Sequence, residues 1–290
     1  MKDLYVFGGD SFTWGDGLEL YLNTPFWIEQ RKKKSTWDVL GSLQNEESIE
    51  FRNNNRFAGL IASELNATSI VDSMNGGGLC KGAHLIDSYI NESPKAVVYQ
   101  FTSLMRMTFH FSRFCTCNIC TTPYGLIPNV INYYFECLYK RVHNEKFTEK
   151  DLFFLNRLKE AEGIVITDEQ LELFRNPANN ILELFYPMFH RNMKYFIDTF
   201  IKQWTKTTKV LLINAWEEET GSLVQSNNFF REHLVPLKGY DGNYYLSYTE
   251  WENTFPHRTI ADEFKGTENR HSTLLQHRYL ADSIIETLQS

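Results

Sequence analysis

The chain has 290 residues, of which 42% are apolar and 22% charged, and its formal net charge is -7. This length suffices for one large domain with an ample core. The acidic balance argues against a dedicated nucleic-acid binder, which usually carries a basic surface. No apolar stretch approaches the roughly 20 residues of a membrane helix, and the N-terminus continues directly into a charged residue and a strand. We therefore expect a cytoplasmic protein without a signal peptide, with neither nucleic acid nor membrane as a partner.

The first motif is an apolar run that ends in two glycines, an acid and a serine. Residues 4–7 are short, apolar and β-prone, and they predict a first strand. Gly8 and Gly9 can take backbone angles that a side chain forbids. The pattern therefore predicts a strand that delivers Ser11 to a sharp turn, at the strand end where open α/β sheets bind their ligands.

Strands and helices are predicted to alternate along the rest of the chain. The predicted strands cover 68–72, 96–101 and 209–214, and the predicted helices cover 56–65, 81–90, 129–143, 149–162, 168–174, 179–204 and 274–288. Residues 15–54 are predicted to form a long loop or a partly ordered excursion, and no strand or helix is predicted within 217–265. Strand, helix and strand in succession indicate parallel crossover units, so we expect an α/β, three-layer sandwich with a mostly parallel central sheet. We expect a single domain over 1–290, with a helical insertion at about 107–205.

A triple glycine follows the second predicted strand. Backbone N–H groups that no side chain crowds can point at an oxyanion, and one such donor is typically worth about a hundred- to a thousand-fold in rate. Gly77 and Gly78 are the candidate donors. The glycines alone favour a flexible turn into the next helix, so the oxyanion role depends on a nucleophile and a base elsewhere in the chain.

A histidine near the C-terminus supplies a candidate base. A serine hydroxyl is a poor nucleophile unless a neighbouring imidazole takes its proton, and a third group holds that imidazole in the useful tautomer. His271 precedes the last predicted helix and is the candidate partner of Ser11.

Gly9-Asp10-Ser11 at the end of a first strand resembles the first sequence block of the SGNH, or GDSL, hydrolase superfamily. That family places an acid and a histidine as Asp-x-x-His before a final helix, and Glu268-x-x-His271 has this spacing with glutamate for aspartate. The resemblance implies that Glu268 orients His271, with Asp262 or a Ser-His dyad as alternatives. The family's second block is a glycine about five residues after the second strand, which corresponds to Gly77.

The third block of the family departs from its usual form here. Most relatives carry Gly-x-Asn-Asp after the third strand, and the asparagine donates to the oxyanion; this chain has Gln-Phe-Thr-Ser-Leu-Met-Arg instead. Thr102, Ser103, Gln100 or Asn75 could donate in its place. Arg106 either holds an anionic or hydroxylated substrate or makes a surface ion pair.

The resemblance implies an SGNH, flavodoxin-like fold and a serine esterase that needs no cofactor. We predict removal of a small acyl group, such as acetyl, from a carbohydrate or a similar ester, so that the partner is a small-molecule or glycan ester. An acyltransferase could use the same site. The absent asparagine and the glutamate for aspartate support a different alternative, a non-catalytic binding or structural module that kept the fold.

Five cysteines leave an odd count. Cys115-x-Cys117-x-x-Cys120 resembles part of a zinc site, and Cys137 or His110 could complete four ligands. Zinc sites usually show paired spacings, whereas reduced thiols are the rule in cytosolic proteins. We therefore predict no metal.

Overall fold

The computed structural model describes residues 2–33, 45–73, 79–101, 137–162, 165–169, 193–215, 227–265, 267 and 269–290. The strands are β1 (Leu4–Gly9), β2 (Thr68–Ser73), β3 (Ala96–Gln100), β4 (Lys209–Ile213), β5 (Leu237–Lys238) and β6 (Tyr244–Tyr245). The helices are α1 (Ser11–Trp14), α2 (Pro25–Gln30), α3 (Glu46–Asn55), α4 (Phe57–Glu64), α5 (Leu79–Asp87), α6 (Glu149–Glu162), α7 (Lys202–Trp204), α8 (Asn228–His233), α9 (Tyr248–Glu252), α10 (Ile260–Glu263) and α11 (Leu274–Gln289). Short 3-10 turns cover Leu18–Tyr21 and Ile90–Glu92, and a π-helical turn, Ile197–Ile201, precedes α7.

The central sheet has the strand order β2-β1-β3-β4, and every neighbouring pair is parallel. This is the order of the first four strands of a flavodoxin-like sheet. Its carboxyl edge, where β1 and β3 end side by side, is where such folds bind ligands. The α/β class with a parallel central sheet is confirmed. β5 and β6 form a separate antiparallel pair.

Successive residues of β1 point to opposite faces of the sheet, which explains the three layers. Tyr5 and Phe7 pack with α4 and α11 on one face. Val6 packs on the other face with α5 and with an aromatic cluster that includes Phe200 and Trp204. Each fully buried large apolar side chain contributes about 1.5–3 kcal/mol to folding. Burial of β3 and β4 on both faces explains why these strands are largely apolar runs, whereas β2 is only partly buried and more polar.

The segment predicted to be irregular before residue 54 contains helices, and that prediction is corrected. α3 is almost entirely polar, so it has no apolar period from which a helix could be predicted. The Asn45 side chain caps it by accepting from the Ser48 N–H at 2.8 Å. The buried Arg52 ties it to buried Glu19 through an ion pair. Capping and one buried pair replace the amphipathic face that usually identifies a helix.

A further difference concerns the later part of the chain. Residues 227–265, for which no strand or helix was predicted, include the β5–β6 pair and the short helices α8, α9 and α10. The side chains of Ser247 and Thr259 cap α9 and α10 respectively. In the predicted insertion, α6 occupies the predicted range 149–162, whereas residues 102–136 and 170–192 lie outside the described part. The insertion and the single-domain boundary stay predictions. None of the helices in the described ranges combines the length and apolar character needed to cross a membrane.

Candidate active site

The turn after β1 is built by Asp10. Its carboxylate Oδ1 accepts from the Phe12 N–H at 3.1 Å, and its carbonyl accepts from the Trp14 N–H at 3.0 Å. These are the bonds of a helix N-cap, and Asp10 is fully buried. Ser11 therefore follows β1 at the carboxyl edge of the sheet, and it begins the short helix α1 where the sequence predicted a sharp turn. The structure describes the backbone of Ser11 and not its side chain.

α1 is fastened to β3 by a buried hydrogen bond. The Thr13 hydroxyl donates to Gln100 Oε1 at 2.6 Å, and it also lies 3.3 Å from the Gly8 carbonyl oxygen. Gln100 is the last residue of β3 and is 1% exposed. Its amide nitrogen is buried and has no hydrogen-bond acceptor among the described residues. A buried donor of this kind is available to a group that enters the carboxyl edge of the sheet.

The loop before α11 is held on both sides. The N–H groups of Ile260 and Ala261, at the start of α10, donate to the carbonyls of His271 at 3.0 Å and Asn269 at 2.8 Å. Thr273 then begins α11 with a reciprocal capping box. Asp262, the alternative acid, accepts from the Thr259 N–H and hydroxyl and is exposed, whereas His271 is only 5% exposed. Asp262 thus serves as part of the α10 cap.

The His271 ring lies between this loop and α1. Its Nδ1 is 3.0 Å from Asn269 Oδ1, and its Nε2 is 3.7 Å from Asp16 Oδ2. The ring centroid is 4.9 Å from that of Phe12, the residue after Ser11. Both Asp16 and Asn269 are buried. The candidate base near the C-terminus is therefore beside the helix that carries the candidate nucleophile.

Buried charges support the α1 side of the site. The Arg52 guanidinium pairs with Glu19 and lies 3.6 Å from the centre of the Trp14 ring. Burial raises the pKa of Glu19, and Arg52 opposes that rise. Arg56 lies 3.5 Å from the Trp14 carbonyl oxygen, and burial, with the charge of Arg52, lowers its pKa to about 10. Arg56 therefore remains cationic at neutral pH beside α1.

A second histidine, His277, lies behind the site on α11. Its Nδ1 accepts from the Phe57 N–H at 3.3 Å, and its ring stacks on the Phe57 ring with centroids 5.9 Å apart. Burial lowers the pKa of His277 to about 3, with smaller contributions in the same direction from the charges of His271 and Arg56. His277 is therefore neutral at physiological pH and joins α11 to α4.

Several predicted site residues fall outside the described part of the chain. They are Glu268, Asn75, Gly77, Gly78, Thr102, Ser103 and Arg106, together with the three cysteines of 115–120. Their roles stay predictions. Among the residues that are described, no group of three or more His, Cys, Asp or Glu side chains is arranged to hold a metal ion.

The structure adds two residues that sequence reasoning missed, Asp16 and Asn269. A signal was present for each, since Asp16 lies between two glycines after the Ser11 turn and Asn269 is two residues before the candidate base. Neither position in the sequence predicts the direction in which the side chain points.

The fold and these contacts define an α/β protein with a buried histidine at the carboxyl edge of a parallel sheet, beside the helix that begins at Ser11. No protein-family model matches the chain, and no curated protein matches it significantly. Among solved structures, the chain is similar to a Parabacteroides merdae ATCC 43184 protein described as a "putative GDSL-like lipase", with 12% identity, a TM-score of 0.36, and coverage of 99% of this chain and 96% of that one. A TM-score of this size carries no functional argument, so the function has to be argued from the residues of this chain.

Proposed function

We propose that this protein is a serine ester hydrolase in which Ser11 is the nucleophile and His271 the general base. The observation that carries the proposal is the contact of the His271 ring with Phe12, at 4.9 Å between centroids, in the helix that begins with Ser11. A serine at a strand-to-helix turn with an imidazole beside it is the arrangement that nucleophilic acyl transfer requires.

The proposed reaction has two halves. The Ser11 oxygen forms a bond to the acyl carbon while its proton passes to His271 Nε2, and the tetrahedral intermediate then expels the alcohol, which takes that proton. Water repeats the sequence on the acyl-enzyme and releases the acid and free Ser11. Glu268 is the candidate from the sequence for holding the imidazolium.

The oxyanion of each intermediate needs donors at the carboxyl edge of the sheet. The backbone N–H groups of Ser11 and Gly77 are the proposed pair. The Gln100 amide nitrogen is a further candidate, since it is buried at the end of β3 without an acceptor among the described residues. It would take the place of the asparagine that the third block lacks.

The substrate we propose is a small acyl ester, such as an acetyl group, on a carbohydrate or similar alcohol. The polar loops and the high aromatic content of the chain, with 22 Phe, 15 Tyr and 6 Trp, support a glycan surface next to a small acyl pocket. Arg106 is a candidate for holding a hydroxyl or an anion of such a substrate. Release of acetate from acetylated sugars, compared with release of longer acids from matched esters, tests this preference. Acyl transfer to a sugar in place of water would identify a transferase.

A fluorophosphonate probe tests the nucleophile directly, because it phosphonylates only an activated serine. We expect the wild-type protein to be labelled and Ser11→Ala to remain unlabelled. Ser63→Ala, at an exposed position on α4, is the matched control and should label like the wild type. Absence of labelling in protein shown to be folded by circular dichroism would favour the non-catalytic module.

A further inference from the structure

We infer that Asn269 is the positioning residue for His271, and that its amide oxygen fixes the tautomer in which Nε2 is the basic nitrogen. This inference deepens the proposed function and depends on it for its catalytic meaning. It assigns to a neutral amide the orienting role for which Glu268 is the candidate in the sequence.

The tautomer follows from a shared hydrogen-bond acceptor. The His271 backbone N–H points at Asn269 Oδ1 at a distance of 3.0 Å, and a backbone N–H can only donate. The atom facing it must therefore be the amide oxygen, which removes the usual uncertainty about the two ends of an asparagine amide. The same oxygen is 3.0 Å from Nδ1. Nδ1 must then carry a hydrogen, and in the neutral ring the lone pair is on Nε2.

Asn269 is itself held in place from three directions. Its N–H donates to the Thr267 hydroxyl at 3.2 Å, and its carbonyl accepts from the Ala261 N–H at 2.8 Å. Its amide nitrogen packs on Gly17, where a Cβ would lie only 2.6 Å away. Gly17 has a φ of 90°, a conformation that side chains rarely adopt. An orienting group needs such support, because a loosely held amide would rotate.

An amide oxygen carries no net charge, so the charge that stabilises the imidazolium must come from elsewhere. Asp16 Oδ2 is 3.7 Å from His271 Nε2, and both side chains are buried. A carboxylate at this distance in a partly dehydrated site attracts the imidazolium more strongly than it would in water. The orientation and the counter-charge are therefore supplied by two residues on opposite sides of the ring.

This division explains how an amide can replace a carboxylate. In serine proteases, an amide in place of the orienting carboxylate costs about 10⁴-fold in kcat because the imidazole takes the wrong tautomer. Here the backbone N–H of the histidine itself turns the amide oxygen toward Nδ1. The useful tautomer is kept without a negative charge at that position.

Nitrogen-15 NMR of the wild-type histidine rings tests the geometry without relying on activity. At a pH where the ring is neutral, we expect His271 to show the Nδ1–H tautomer, with its signals assigned by their loss in His271→Gln. His277 is an internal reference with the opposite tautomer, because its Nδ1 accepts from a backbone N–H. An Nε2–H tautomer at His271 would overturn the inference.

Labelling kinetics with the fluorophosphonate probe test the catalytic consequence. We expect Asn269→Ala to slow Ser11 labelling by about 10- to 100-fold, the effect of losing one buried hydrogen bond that orients the base. Its matched control is Asn253→Ala, at an exposed position after α9, which should label like the wild type. Glu268→Gln separates the two candidate orienting residues: if Asn269 orients the ring, Glu268→Gln should slow labelling less than Asn269→Ala does.

The two proposals fail in different ways. A wild-type protein that is folded but unlabelled would end the hydrolase proposal, while the NMR tautomer would still decide the role of Asn269. A different result would refute only the positioning role: strong labelling of the wild type, no labelling of Glu268→Gln, and unchanged labelling of Asn269→Ala. The hydrolase proposal would then stand, and Asn269 would not be the residue that orients His271. Where Asn269→Ala does not fold, the tautomer in the NMR spectrum of the wild type decides between the two outcomes.

Discussion

The loop at His271 and the helix at His277 bury two imidazoles with opposite hydrogen-bond partners at Nδ1. In the loop, Nδ1 faces the side-chain oxygen of Asn269, an acceptor. In the helix, Nδ1 faces the backbone N–H of Phe57, a donor. The first arrangement leaves Nε2 basic and directed to the α1 side, near Asp16, whereas the second places the hydrogen on Nε2. Both rings are buried, so the partner at Nδ1 and not burial separates a candidate base from a packing residue.

The largest effect that would test this contrast is on activity. We expect His271→Ala to lower the labelling rate at Ser11 by about 10²- to 10⁴-fold, since a general base contributes about that much. His277→Ala should leave the rate per folded molecule within about tenfold and instead lower the free energy of unfolding. Probe labelling at neutral pH, paired with urea unfolding, measures both. Equal losses of activity in the two variants would contradict the assignment of His271 as the base and His277 as a packing residue.

A smaller effect is expected at Gly17, which packs against Asn269 in the His271 loop. Gly17→Ala places a Cβ 2.6 Å from the Asn269 amide nitrogen at a φ of 90°. We expect a loss of about 2–3 kcal/mol in the free energy of unfolding and a labelling rate about tenfold lower. Gly242→Ala is the matched control, because Gly242 has a φ of 84° with nothing within 4 Å of the added Cβ. It should lose about 1 kcal/mol through backbone strain and keep its labelling rate.

The pH dependence of stability tests the environment of His277 on α11. The pKa of His277 falls from the ordinary 6.5 to about 3 on folding, chiefly through burial. Below pH 6.5 the unfolded chain therefore binds a proton that the folded protein excludes, and stability is lost as the pH falls toward 3. Between about pH 7.5 and about pH 5 this loss amounts to about 2 kcal/mol. Urea unfolding at the two pH values should show it in the wild type and not in His277→Gln.

The smallest predicted effect concerns the hydrogen bond between Thr13 of α1 and Gln100 of β3. Thr13→Val removes the 2.6 Å hydrogen bond to Gln100 and leaves the amide oxygen of Gln100 buried without that donor. We expect a loss of about 1 kcal/mol in the free energy of unfolding. Thr68→Val, at an exposed position at the start of β2, should stay within about 0.5 kcal/mol of the wild type. An unchanged stability in Thr13→Val would mean that Phe12 is held beside His271 by other contacts.

The sheet could be predicted because its strands carry their signal in their own residues. β3 and β4 are apolar runs that are buried on both faces, and their observed bounds lie within a residue of those predicted. α3 could not be predicted, because its polar sequence is stabilised by a contact between Arg52 and Glu19, which is distant in the chain. Local pattern identifies an element only when the element's own residues supply most of its burial.

The candidate site divides in the same way. Ser11 and His271 follow from motifs at the two ends of the sequence, and the structure places the His271 ring beside α1. Asn269 and Asp16 were not predicted, because loop side chains are directed by tertiary contacts. The Asn269 amide is directed by a backbone N–H two residues later and by packing on a glycine from the other end of the chain.

Joining the two ends of the chain at one sheet edge has a consequence for biosynthesis. Roughly 250 residues separate Asp16 from His271, and ribosomes add about 5–20 residues per second, so the two parts are made roughly 10–50 s apart. Under the proposed function, the Ser11 hydroxyl has no His271 beside it during that interval. The proposed hydrolase site is therefore incomplete until the His271 loop and α11 have been translated.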